Sequence, residues 1–151
     1  MCVVLNTLQL SFHNILVPYD GTKTGDRAFN GAIQIAKKFA SKITILACVE
    51  REATWVFFET KSDKKDIKQR RSVMVEKTAK LNEIASKHDI SCKVSVSNCT
   101  VASECIVSFV KSHKVDLIVM GKSSKISPEK IYHDSTVNHI YSSLKCAMLT
   151  I

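Results

Sequence analysis

The chain alternates between short apolar runs and longer stretches that are apolar on one side only. His13 to Pro18 (HNILVP) is a short apolar run followed by Asp20 and Gly21, the pattern of a buried strand running into a turn. From Gly25 to Phe39 the period lengthens. Ala28, Ala32, Ile35, Ala36 and Phe39 share one helical face, while Arg27, Lys37 and Lys38 lie off it. Ile43 to Val49 (ITILACV) is almost continuously apolar, as a strand covered on both faces of a parallel sheet would be. A loop with Trp55, Phe57 and Phe58 follows. A long helix is expected over about Asp63 to Lys87, with Ile67, Met74, Thr78, Leu81 and Ala85 on its apolar stripe. Lys93 to Ser97 (KVSVS) alternates like an edge strand with one wetter face. Thr100 or Ser103 is placed to cap a helix carrying Ile106, Val107 and Val110. Val115 to Met120 predicts a fourth strand ending at Gly121. A last helix on Val137, Ile140, Tyr141 and Leu144 leads to a fifth strand, Ala147 to Ile151.

Strands and helices in strict alternation predict an α/β fold: an open, doubly wound, parallel five-stranded sheet with helices on both faces, Rossmann-like. Ligands of such sheets sit beyond the carboxyl ends of the strands, where the winding reverses. If the reversal lies between the first and fourth strands, giving the order 3-2-1-4-5, the site is built from Pro18–Gly21 and from the loop that starts at Gly121. The domain is expected to span 13–151. Residues 1–12 form an N-terminal extension that is apolar but lacks a positively charged leader, is too short to span a bilayer, and is interrupted by Asn6 and Gln9.

Composition narrows the class. The chain has 151 residues, 45% hydrophobic and 24% charged, which suits one globular domain and argues against disorder. Its net charge of +8 attracts anions in general. The densest basic run, Lys61 to Arg71, is broken by Asp63 and Asp66 and reads as a solvated helical face. Few aromatics accompany it, so nucleic acid is not an expected partner, and no membrane association is expected. The six cysteines, at positions 2, 48, 92, 99, 105 and 146, form no C-x-x-C, and no Cys/His pair has zinc spacing. Cys48, Cys92, Cys105 and Cys146 lie in or beside apolar runs and read as small hydrophobes. A reducing cytoplasm fits this usage better than a disulfide framework.

Motifs for catalysis are absent from the sequence. There is no G-x-x-x-x-G-K-[ST], no G-x-G-x-x-G and no G-x-S-x-G. Glu50 and Glu52 follow the second strand without an evident partner acid or base. A phosphoacceptor receiver would need an acidic pair near the first strand and an Asp closing the third, but Asp20 stands alone and the third strand ends in Ser97-Asn98-Cys99. The expectation is a protein that is not an enzyme.

From about Asn14 to Ile151 the chain resembles the universal stress protein family. The opening ILVPYDGT, the strand ITILACVE, the stretch DLIVMG from Asp116 to Gly121, and the terminal CAMLTI carry the resemblance. Nucleotide-binding members of that family carry a loop of Gly, two residues, Gly, nine residues, then Gly followed by Ser or Thr. Gly121 matches the first Gly. Ser124 and Asp134 stand where the second and third glycines would be, and Ser135 follows. Ser124 puts a side chain where a phosphate would approach the main chain. Asp134 puts a carboxylate at a helix start that otherwise favours phosphate, and also reads as an N-cap.

The resemblance implies a small-ligand or partner-binding stress-response protein with a degraded ATP site. The alternative is an adenine-nucleotide module that binds ATP or AMP between the first and fourth strands. It further implies that Asp20 meets the adenosine end, that Val49 and Met120 line an adenine pocket, and that Ser135 and Thr136 reach phosphates. Each residue also has a plainer role: Asp20 in the turn, Val49 and Met120 in strand-end core, Gly121 in the turn after the fourth strand. Homodimerisation through the C-terminal strand is expected as well, because Ala147 to Ile151 is apolar and carries no charge to blunt its edge.

Overall fold

A computed structural model describes residues 11–50, 61–122 and 136–151. Its strands are β1 (Asn14–Tyr19), β2 (Lys42–Glu50), β3 (Cys92–Cys99), β4 (Leu117–Met120) and β5 (Ala147–Thr150), and its helices are α1 (Lys23–Phe39), α2 (Lys61–Lys87), α3 (Ala102–Ser112) and α4 (Thr136–Ser143). The strands form one parallel sheet in the order β3-β2-β1-β4-β5. The winding reverses between β1 and β4, where Ile15 pairs with Leu117 and Leu16 with Ile118.

Strand side chains alternate between the two faces. Ile15, Val17, Ile43, Ile45 and Val119 point to the layer made by α1 and α2, packing with Phe29, Ile33, Leu81 and Ala85. Leu16, Leu46, Ile118 and Met120 point the other way, to Ile106 and Val107 of α3 and Ile140 of α4. The continuous apolar runs of β1, β2 and β4 follow from having two cores to serve. β3 lies at one edge, in keeping with its alternating pattern, and β5 at the other.

Local chemistry sets several element ends. Thr22 is the N-cap of α1: its Oγ1 accepts from the Gly25 amide at 3.2 Å. β4 begins after Asp116, whose Oδ2 accepts from the amides of His13 (3.0 Å) and Asn14 (2.9 Å) and so ties the entry of β1 to that of β4. Phe12, assigned above to the extension, packs edge-to-face on Phe39 with ring centroids 5.4 Å apart.

The structure corrects some local expectations. The N-cap of α3 is Val101, which offers no side-chain bond, so neither Thr100 nor Ser103 caps this helix. Glu50, at the end of β2, accepts from the Ala102 amide at 2.8 Å instead. The carboxylate comes from a distant part of the chain, which a local capping rule does not search. The buried face of α1 runs through Phe29 and Ile33, leaving Ile35 and Phe39 at its margin. Tyr141 is 75% exposed, because α4 buries Ile140 and presents Val137 and Leu144 to the core, which turns position 141 outward.

The basic run lies on α2, where positions 64–66 and 68–73 are exposed. Arg70 pairs with Asp66 at 2.9 Å, and Arg71 donates to the Val96 carbonyl at 2.9 Å. Such contacts are those of a solvated helical face. No described helix is long and apolar enough to cross a membrane.

Candidate functional site

Beyond the carboxyl ends of β1 and β4 lies a cavity of about 570 Å³, on the side of the sheet covered by α3 and α4. Pro18, Leu46 and Met120 come from strand ends and Ile106 from α3, and together they give it an apolar wall. Its polar side chains include Asp20, Lys122, Thr136 and Asn138. Thr136 is the first residue of α4, and Lys122 follows the turn at Gly121.

Pro18, Asp20, Met120, Gly121 and Thr136, singled out from the sequence, all line this cavity. Val49 does not, and its assignment to the pocket is corrected. The side-chain period of two sends Val49 to the opposite face, where it is buried, and brings its neighbours Leu46 and Cys48 to the cavity wall. Ser124, Asp134 and Ser135 lie outside the described residues, as do Trp55, Phe57 and Phe58.

Asp20 has a defined structural task. Its Oδ1 accepts from the Thr22 amide at 3.0 Å and from the Thr22 hydroxyl at 2.6 Å. These bonds form the Asx-turn that leads into α1. Gly25 fits tightly under this turn. A Cβ there would stand 2.9 Å from Asp20 Oδ1 and 3.0 Å from the Tyr19 ring. Tyr19, at the end of β1, donates its hydroxyl to Asp26 Oδ1 at 2.7 Å. Burial and then the Asp26 carboxylate push the Tyr19 phenol well above its usual range, so it stays protonated.

Gly121 is required by close approach: a Cβ on it would stand 2.5 Å from the Thr24 carbonyl oxygen and 3.0 Å from the Gly25 nitrogen. The start of α1 and the end of β4 therefore touch main chain to main chain, and together they form one rim of the cavity. Gly25, Leu46 and Cys48 were not singled out for the site in the sequence, because nothing local marks which strand or helix residues face a cleft.

The family model described as the universal stress protein family matches residues 11–151. The chain belongs to the universal stress protein family. A universal stress protein of Methanocaldococcus jannaschii is 24% identical over 148 residues, covering 93% of this chain and 82% of that protein. Among solved structures, the universal stress protein UspA of Lactobacillus plantarum superposes with a TM-score of 0.80 at 22% identity, covering 94% of this chain and 99% of that one. The universal stress protein of Archaeoglobus fulgidus solved in complex with dAMP gives a TM-score of 0.61 at 13% identity, with 94% and 99% covered. At these identities the solved structures establish the fold. They agree with the five-stranded parallel sheet of order 3-2-1-4-5 in this universal stress protein.

Proposed function

We propose that this protein is a non-catalytic regulatory module of its family that takes a small adenine nucleotide bearing one phosphate, of the AMP class, in the cleft between β1 and β4. ATP is a weaker ligand in this reading. The observation that carries it is the cavity itself. Its volume of about 570 Å³ lies within the range of about 300–1,000 Å³ usual for small-molecule sites. The apolar wall of Pro18, Leu46, Ile106 and Met120 suits a base, and the polar rim suits a sugar and a phosphate.

The charge balance favours a single phosphate. Among the described residues lining the cavity, Lys122 is the one cation and Asp20 the one carboxylate. In the family's loop pattern, Ser124 and Asp134 replace two glycines, and a side chain and a carboxylate in place of glycine disfavour a phosphate-binding loop that takes several phosphates. The Archaeoglobus fulgidus relative was solved with dAMP, a nucleotide with one phosphate.

A binding role rather than a catalytic one is supported by the cavity's titratable groups. The Tyr19 hydroxyl is engaged by Asp26, and one oxygen of Asp20 holds the turn. Burial, and next the neighbouring Cys105, push the Cys48 thiol far above its usual value, which leaves it a poor nucleophile. In this reading the protein acts in the cytoplasm as a homodimer joined through β5.

Calorimetric titration of the wild type and of the Ser124→Gly/Asp134→Gly double variant with AMP and ATP tests the proposal. The wild type should bind AMP more tightly than ATP. The double variant should gain more affinity for ATP than for AMP. Low-micromolar ATP binding by the wild type, unchanged in the double variant, would overturn the preference. Failure of the wild type to bind either nucleotide would overturn the ligand class.

A further inference from the structure

Cys48, Cys99 and Cys105 come together in space. Their three sulfurs all lie within 4.8 Å of one another, and all three residues are half-buried. Cys48 is on β2, Cys99 closes β3, and Cys105 is in the first turn of α3. Parallel pairing sets Cys48 against Ser97 and Glu50 against Cys99, so the two strand cysteines lie one step apart along the same face of neighbouring strands. α3 packs over that face and supplies the third. The Glu50 carboxylate holds the Ala102 amide at 2.8 Å, which anchors the start of α3 to the end of β2.

We propose that these three cysteines form a binding site for a soft monovalent d10 cation, Cu(I), held by three thiolates in a trigonal plane. Three sulfurs at about 2.3 Å from one ion stand about 4 Å apart in such a plane, so the cluster needs to contract by less than about 1 Å. The donor set selects the metal class. All three donors are soft sulfur, which favours Cu(I), zinc and iron–sulfur clusters over harder cations. Structural zinc sites and iron–sulfur clusters draw on four protein ligands. Among the described residues no histidine or carboxylate joins the three thiols.

Among the described residues, the cluster borders two hollows. Cys48 lines the nucleotide-sized cavity, and Cys99 and Cys105 line a separate surface depression with Asn98, Glu104 and Ser108. Burial, and next the neighbouring Cys105, hold the Cys99 thiol up at about 11, and Cys48 higher still. Binding therefore forms three metal–sulfur bonds and releases the three thiol protons to solvent, with no change of oxidation state.

The reduced full-length chain, kept anaerobic, is titrated with Cu(I) against bathocuproine disulfonate as competing chelator. One Cu(I) per chain is expected, with an X-ray absorption edge typical of three-coordinate sulfur ligation. A Cys99→Ser/Cys105→Ser variant changes two partly exposed positions and should fold, which circular dichroism checks. It should bind at least about a hundredfold more weakly, since loss of even an outer-shell partner costs about 10–100-fold. A Cys2→Ser/Cys92→Ser/Cys146→Ser variant should bind as the wild type does. Three outcomes would overturn the proposal: no Cu(I) bound by the wild type, undiminished binding by the Cys99/Cys105 variant, or displacement of Cu(I) from the wild type by equimolar zinc.

Discussion

The backbone at Gly121 rests against the carbonyl of Thr24 so closely that a Cβ would come within 2.5 Å of that oxygen. The glycine that opens the loop after β4 is thus needed by the contact with α1, whether or not a ligand is present. Gly121→Ala should destabilise the ligand-free protein by about 2 kcal/mol, in the range of overpacking changes. Urea unfolding should show a lower midpoint with an unchanged slope. An unchanged midpoint would mean that the Thr24 segment shifts aside without cost.

The turn formed by Asp20 separates structural from binding effects. Asp20→Asn keeps an oxygen for the Thr22 amide and hydroxyl and should leave thermal stability unchanged. Asp20→Ala loses both bonds and should cost about 1 kcal/mol, as loss of a comparable side-chain cap does. If the carboxylate meets the sugar of a nucleotide, Asp20→Asn should still weaken AMP binding about tenfold, or about 1.4 kcal/mol. Paired thermal and calorimetric measurements on the two variants read the two roles independently.

Asp116 should make the fold acid-sensitive. Burial pushes its carboxyl up, but the amides of Asn14 and His13 outweigh this and hold it below its ordinary value of 3.8. A carboxyl depressed in the folded state contributes stability above its unfolded value, and that stability is lost as pH falls through the folded value. Asp116→Asn should therefore cost about 1 kcal/mol at pH 7, less than the about 1.5–3 kcal/mol of a charged hydrogen bond because the group is partly solvated. The gap between wild type and variant should close as pH drops below about 4. Denaturant unfolding at pH 7 and pH 3 measures it, and a gap independent of pH would exclude this role.

The outer edge of β5 tests self-association. Leu149 is 39% exposed and Ile151 37%. Its inner side is fully engaged: Ile151 donates to the Met120 carbonyl at 2.9 Å, and Lys122 donates to the Ile151 carbonyl at 2.8 Å. Among the described residues no strand pairs with the other side of β5, and a second copy pairing there would bury those side chains symmetrically. Light scattering should give a dimer at micromolar concentration, and Leu149→Lys should shift it to monomer. A wild-type monomer under the same conditions would refute the dimer.

Much of the fold was legible because each core reads its own half of a strand. Ile15 and Val17 serve one layer and Leu16 the other, so β1 had to be apolar throughout. Asp20 and Gly121 could be tied to one cleft because a doubly wound sheet brings the ends of its first and fourth strands together, while Met120 and Thr136 were marked for it by the family resemblance. The error at Val49 was one of facing. A buried parallel strand is apolar on both sides, so its composition does not say which residue looks into the cleft, and Cys48 does. The cap of α3 was misread for a related reason: Glu50 reaches the Ala102 amide across the gap between two elements, and no local motif records that contact.

The sequence by itself determined the order of elements, the class of sheet and the residues of the turns, because periodicity and turn chemistry act between near neighbours in the chain. Tertiary structure alone decided that Cys48, Cys99 and Cys105 meet, that Gly121 presses on Thr24, and that Asp116 clasps the start of β1. These contacts depend on strand register and on the packing of helices over the sheet. Both are set by the burial of many side chains at once, which no single stretch of sequence contains.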